Sequence, residues 1–386
     1  MSSAAVVVAG GGVIGASVAY HLAAAGQRDV LVVDGAPGPT GGSTARATGG
    51  FRAQYGTAVN VRLSLLAREK LRQFKDETGT DPGYQEAGYL WLAANEAELA
   101  VLREGQAVQH AAGLAEARMV SLEDVRHLNP ALDLTGIAGG AYCPTDGFIR
   151  PLQILNGYIA AGERLGVRYS WDTGVTQIVR DETGRIASVV TTRGEISAGA
   201  VVNAAGAWAA ALAAMAGVEL PVVPLRRQVA ATVPCDRLPH SMPMTIFAGD
   251  GYHLRVRDDR VLLLWPNPGA KDPFSSDVDA TWLDTIRKKT DARVPALRDI
   301  PIDESACWGG LYEISPDKHA ILGPAPDCPN LYLVNGSSGH GVMHAPALGQ
   351  LLAEIICEGA ARSMDAAALS PARFAEGRLN AVSELL

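Results

Sequence analysis

"VVVAGGGVIGASVAYHLAAAG" spans Val6–Gly26 and decides how the chain begins to fold. Val6 to Ala9 is short, apolar and β-branched, as in a strand buried on both faces. Three glycines follow, and then an alanine-rich stretch with no break. Gly10, Gly12 and Gly15 match the spacing G-x-G-x-x-G. In that pattern Gly10 permits the tight turn, Gly12 lets a pyrophosphate approach the backbone, and Gly15 lets the helix close on the strand. Ile14, Val18 and Leu22 lie at helical spacing on one face, and Gly26 suits a C-cap. The first helical turn, with Val13 and Ile14, aims free N–H groups at phosphates.

"DVLVVD" (Asp29 to Asp34) reads as a second buried strand ending in an acid. Asp34 lies 24 residues after Gly10, near the distance at which a carboxylate binds ribose hydroxyls. The expectation is a Rossmann-like dinucleotide-binding unit, the alternative being a glycine-rich turn with no ligand. The fingerprint fits NAD and FAD equally, because both carry an ADP half.

The loop from Gly35 to Gly56 is rich in Gly, Thr, Ser and Pro, and long structured loops tend to be functional. Gly42, Ser43, Thr44 and Thr48 are candidate cofactor contacts, the hydroxyls of Ser43 and Thr44 for phosphate oxygens. Gly49 and Gly50 would allow close approach of a flat ring, and Arg46 and Arg52 supply positive charge. Helices are expected near Val59 to Phe74, Ala97 to Ala112, Leu122 to Leu128 and Leu152 to Leu165. A strand is expected at Gly88 to Asn95, and strand-rich sequence containing Val175 follows the fourth helix; Val175 is a further candidate contact. A strand at Ala200 to Asn203 runs through Ala204, Ala205 and Gly206 into an Ala-rich helix, a second close approach of backbone to ligand. Trp208 either covers that ligand or is a core aromatic.

From Leu220 to Asp303 the pattern alternates, in "RRQVAATV", "GYHLRV" and "RVLLLWP". That is an antiparallel sheet solvated on one face, followed by a helix at Ala280 to Arg293. Near the C-terminus a strand (Leu331 to Val334) leads into "NGSSGHG" and then a helix. Leu348, Leu351, Leu352, Ile355 and Ile356 form its buried stripe, and Pro346 suits its first turn. This is another glycine-rich loop aimed at a helix N-terminus. The first elbow already takes the ADP half, so this one needs a different electron-rich partner. N–H groups of Gly341, Val342 and Met343, with Gly339 before them, would stabilise negative charge on a reduced flavin. That favours FAD over NAD.

Composition narrows the field. The chain has 386 residues, is 48% apolar and carries a formal net charge of −8 without a basic cluster, so nucleic acid is not an expected partner. Five cysteines without a C-x-x-C pair argue against a disulfide framework or a metal site and suit a reducing cytoplasm. No apolar run reaches the roughly 20 residues of a membrane span.

Taken together, the N-terminal fingerprint, "VVNAAGAW" (Val201–Trp208), "SPDKHAILG" (Ser315–Gly323) and "SGHGVMHAPALG" (Ser338–Gly349) resemble the FAD-dependent amine and amino-acid oxidoreductases of the sarcosine oxidase, glycine oxidase and D-amino-acid oxidase type. The likeness is strongest to β subunits of sarcosine oxidase and of dye-linked L-proline dehydrogenase. It implies an α/β fold: a discontinuous FAD-binding domain (1–80, 141–212 and 305–386) with an inserted antiparallel-sheet substrate domain (81–140 and 213–304). It implies hydride transfer from Cα of an amino acid or N-alkyl amino acid to the flavin, then hydrolysis of the imine. The rivals are a 2-hydroxy-acid dehydrogenase and a non-catalytic FAD-binding subunit of a larger complex.

The resemblance gives Arg52 the substrate carboxylate, with a solvated loop arginine as the alternative. It puts His340 beside the flavin, with a loop-shaping role as the alternative. Met343 stands where a second carboxylate-binding lysine occurs. Gly310 aligns with a flavin-linking cysteine, so FAD is expected to be non-covalent. "VLLLWPN" (Val261–Asn267) lacks the lysine that promotes reaction with oxygen, leaving O2, a quinone, a dye or a partner subunit as acceptor. Tyr252 and His253 sit where only one can face the substrate, and Tyr252 is taken as the hydrogen-bond donor. Homo-oligomer and hetero-subunit assemblies stay open.

Overall fold

In a computed structural model of the chain, which describes residues 2–266 and 274–382, the strands form two large sheets. Asn267, at the end of "VLLLWPN", lies outside the described residues, as do 383–386 at the end of the expected cofactor domain.

The first sheet is built on the opening motif. Its central strand Ser2–Ala9 pairs in parallel with Gly194–Asn203 on one side and with Val30–Val33 on the other. Cys328–Asn335 continues the parallel run beyond Gly194–Asn203, and Arg168–Ser170 beyond Val30–Val33. Parallel strands need both faces covered, which explains the unbroken valines. Val6, Val7 and Val8 are all buried. Helix Val13–Ala24 packs directly on helix Gly341–Glu358, both contributing to one apolar cluster on the same side of this sheet. A Cβ at Gly349 would sit 2.1 Å from Ser17 Oγ, so only glycine lets the two helices come this close.

The second sheet runs Trp308–Ile314, Val223–Ala231, Arg260–Leu264, His253–Arg257, Met244–Phe247, Tyr89–Ala93, Gly139–Cys143 and Arg118–Val120. It is antiparallel except where Met244–Phe247 lies parallel to Tyr89–Ala93. Its back face packs Leu90, Leu254, Val256 and Leu263 against Trp282 and Ile286 of helix Ala280–Arg293. Two strands assigned from sequence wholly or mostly to the cofactor unit, Gly139–Cys143 and Trp308–Ile314, are hydrogen-bonded into this sheet. The boundaries at 141 and 305 therefore cut across ladders that the alternation pattern alone did not reveal.

Pro346 is also placed differently. The helix begins at Gly341, so Pro346 lies inside it rather than in its first turn. Lacking an N–H, it removes one i→i−4 bond there.

Asp317, in the "SPDKH" turn, is paired bidentately with Arg373 at 2.8 and 3.0 Å, both side chains fully buried. Burial alone would raise the Asp317 carboxyl, but the Arg373 guanidinium holds it down at about 2. Its folded value is depressed, so its stabilisation is complete above about pH 4 and fades as pH falls towards 2. Removing one partner strands a buried charge, so Arg373→Leu is expected to cost about 3–5 kcal/mol in urea unfolding at pH 7. A loss under about 1 kcal/mol would show that water reaches the pair.

Candidate functional site

The parallel strands end on a common edge. In sheet order, Asn335, Asn203, Ala9 and Val33 lead into the Gly336–Gly341 loop, Ala204–Gly206, Gly10–Gly12 and Asp34. Ligands of open α/β sheets bind outside these carboxyl ends. A cavity of about 610 Å³ opens there.

At the first elbow Gly10 has φ +113°, and a Cβ on it would meet the Ala204 carbonyl oxygen at 2.3 Å. A Cβ at Gly15 would lie 1.9 Å from the Gly10 carbonyl oxygen, so Gly15 serves helix–strand contact and does not line the cavity. Gly12 is the N-cap of helix Val13–Ala24, with extended backbone and no capping side chain. A Cβ there would meet only Thr44 Oγ1, at 3.4 Å. Thr44 Oγ1 accepts the Val13 N–H at 3.1 Å, which ties the long loop to the helix start. Asp34 accepts the Gly11 and Ala36 N–H groups at 2.7 and 2.8 Å, which fixes its carboxylate on the cavity wall.

Of the residues expected from sequence, Gly10, Gly12, Val13, Ile14, Asp34, Gly42, Ser43, Thr44, Val175, Ala205, Gly206, Trp208, Gly310, Gly339, Gly341 and Val342 line this cavity. Trp208 is 52% exposed on the cavity wall, so it is not a core aromatic. Thr48, Gly49, Gly50 and Met343 are not on the wall. The Thr48 and Gly49 carbonyls accept from Arg255 at 2.7 and 3.0 Å. Space beside Gly50 is taken by the Tyr89 hydroxyl, where a Cβ would come within 1.9 Å. Met343 turns its sulfur to the Arg52 N–H at 3.3 Å. At Gly49 too the missing Cβ makes room for protein atoms, since a Cβ there would meet the Ile149 carbonyl oxygen at 2.3 Å.

The last elbow carries His340 as N-cap of helix Gly341–Glu358, again without a capping side chain. His340 Nε2 lies 3.1 Å from Arg52 Nη2. A guanidinium only donates, so this nitrogen accepts and the ring proton sits on Nδ1. Burial, then the Arg52 charge, pushes His340 well below its usual value. His344, bonded to Ser64 Oγ at 2.8 Å, is lowered to about 3 by the same causes. Arg52 is 4% exposed, donates to the Gln54 carbonyl at 2.8 Å and lies 4.1 Å over the Tyr55 ring. Asp146, buried and raised to about 6 by desolvation, accepts from Ala53 N and Gln54 Nε2 and so holds the segment that carries Arg52. The result is a buried cation ringed by neutral imidazoles and aromatic faces.

Tyr252 does not join this group. It belongs to the turn before the strand, and its side chain is fully buried on the back face with its hydroxyl 2.8 Å from Thr290 Oγ1. His253 takes the opposite side. Its value is lowered to about 4 by burial, with Arg52 and Arg227 contributing. Sequence reasoning also passed over Glu313 and Ser337 on the cavity wall. A charge in an alternating strand and a serine in a Gly/Ser loop carry no mark of burial.

Residues 5–355 match the model of the DAO family, described as FAD dependent oxidoreductase, and the chain belongs to that family. It is 28% identical over 374 residues to dimethylglycine dehydrogenase, mitochondrial, of Mus musculus, covering 92% of this chain and 42% of the relative. The chain thus spans less than half the length of that protein. The structure of L-proline dehydrogenase from P. horikoshii superposes with a TM-score of 0.90 at 27% identity, covering 98% of this chain and all of the other. Glycine oxidase from Geobacillus kaustophilus gives 0.84 at 25%, covering 96% and 98%.

FAD is the cofactor of this family and its structural neighbours. The cavity suits it: two helix starts whose N-cap residues offer no capping side chain, a fixed carboxylate and a glycine whose missing Cβ leaves the first helix start open. No helix among the described residues is long and apolar enough to cross a membrane.

Proposed function

We propose that the chain oxidises the C–N bond of an amino acid or N-alkyl amino acid. The observation that carries this is the buried Arg52 guanidinium beside His340, at the helix start that also lines the cavity. A fixed, desolvated cation with a forked donor geometry matches a carboxylate. The relatives named above act on substrates that carry a carboxylate next to an amine carbon.

In this reading Gly10–Ile14 and Gly42–Thr44 hold the diphosphate, and Asp34 holds the ribose of the ADP half. Ala205 and Gly206 line the middle of the site, and Val175 lies at the Asp34 end, where Gly174 packs on Gly35. Gly310, Gly339, Gly341 and Val342 face the ring end, without a covalent link. Cys307, three residues before Gly310, is not on the wall and donates to the Asp303 carbonyl. The first sheet with its elbows forms the cofactor unit, and the second sheet, with Trp308–Ile314 and Gly139–Cys143 included, covers the substrate.

Bound FAD supplies a two-electron acceptor for the hydride leaving Cα. Arg52 clamps the carboxylate and orients Cα. His340 and His344, neutral at pH 7, add no second positive charge to repel the substrate's amine. The amine loses a proton as the hydride leaves, and water then splits the imine to amine and carbonyl.

An anaerobic titration tests this. Sarcosine, dimethylglycine, glycine, proline and D- and L-amino acids are each mixed with the yellow holoenzyme, and bleaching of its visible flavin absorption by at least one is the expected result. Bleaching by a 2-hydroxy acid alone, or by no compound, would overturn the substrate class.

A further inference from the structure

Glu313 lies on strand Trp308–Ile314, is 8% exposed and lines the cavity. Its Oε1 accepts the Ser337 N–H at 3.3 Å, and its backbone carbonyl accepts the Ser338 N–H at 2.9 Å. Its Oε2 is buried without a hydrogen-bond partner among the described residues, as is the neighbouring Ser337 Oγ. A buried carboxyl oxygen left unmatched is costly, and native structures keep few of them. Burial pushes this carboxyl up to about 7, and hydrogen bonding from Ser337 and the Gly336 N–H offsets that rise only in part.

We propose that Glu313 Oε2 accepts a hydrogen bond from the flavin-ribityl half of FAD. Place in the sheet decides which half. The wall around Glu313 comes from Tyr312, Ser337, Gly339 and Gly341, beyond strand Cys328–Asn335. Asp34 follows strand Val30–Val33, three strands away along the same edge. The ADP half is held at the Asp34 end, so the donor that reaches Glu313 is a ribityl O–H or a ring N–H. A negative acceptor here is matched by the uncapped start of helix Gly341–Glu358, which lends positive potential to the same wall.

Glu313→Gln tests the assignment with little change of shape. A glutamine keeps one oxygen for the Ser337 N–H and puts an NH2 where the second oxygen accepted. Flipping the amide only moves the clash of donors to Ser337. In the cofactor-free protein that amide is cheaper to bury than the unmatched carboxyl.

FAD and ADP dissociation constants are measured on cofactor-stripped wild type and variant, together with the thermal midpoint of each apoprotein. The expected result is an FAD Kd raised about ten-fold or more, an unchanged ADP Kd and an apoprotein that melts no earlier than wild type. An unchanged FAD Kd would overturn the proposal. So would parallel weakening of FAD and ADP, which would mark Glu313 as a support of the whole cavity. Wild-type stoichiometry in the same titration reports separately on FAD binding itself.

Discussion

Arg52→Ala is expected to raise the KM of the carboxylate-bearing substrate about 10- to 150-fold while FAD stays bound. The figure follows from loss of one charge-assisted pair, about 1.5–3 kcal/mol. The cofactor should be untouched, because Arg52 is outside the lining of the cavity; its neighbour His340 is also off that wall and directly precedes Gly341, which lines it. Arg52→Lys should recover part of the loss, since an ammonium keeps the charge without the fork. Flavin content and melting temperature report on damage to the Tyr55 and His340 packing. An unchanged KM in a variant with full flavin content would remove Arg52 from the substrate site and leave the proposed chemistry without its anchor.

Gly12→Val is expected to yield a folded protein without flavin. Backbone at Gly12 is extended, with φ −69°, so any residue adopts it. Its Cβ would have only Thr44 Oγ1 within 4 Å, at ordinary contact distance. The side chain would therefore project into the space where the diphosphate meets the helix start. Neighbouring glycines differ in kind. At Gly10 a side chain strains the backbone and strikes Ala204, and at Gly15 it strikes Gly10, so those variants should fail to fold rather than merely fail to bind. Wild-type flavin content in a soluble Gly12→Val protein would contradict the placement of the diphosphate. A cofactor-free variant whose circular dichroism matches wild-type apoprotein would support it.

The first elbow was legible because its requirements are local. Three backbone positions call for glycine, a valine strand precedes them, and an acid follows at a fixed remove; the structure places Gly10, Gly12 and Asp34 on one cavity and Gly15 against the Gly10 carbonyl. The final elbow was legible for the same reason, although its helix starts five residues before Pro346. What the sequence hid was long-range. Gly49 and Gly50 look like ring-binding glycines, but Ile149 and Tyr89, distant along the chain, fill the space beside them. The side taken by Tyr252 depends on where the turn ends. Asp250 accepts the Tyr252 N–H, the ladder begins at His253, and that one-residue offset sends tyrosine to the core and histidine towards Arg52. The membership of Trp308–Ile314 rests on a partner strand some eighty residues earlier, which local pattern cannot name.

The central claim is that two loop-to-helix elbows hold opposite ends of one FAD. A crystal structure of the FAD complex tests it most directly. Density is predicted for the diphosphate at Gly10–Ile14 and for the isoalloxazine against Ser337–Val342. An isoalloxazine ring bound away from the Ser337–Val342 segment would contradict the account.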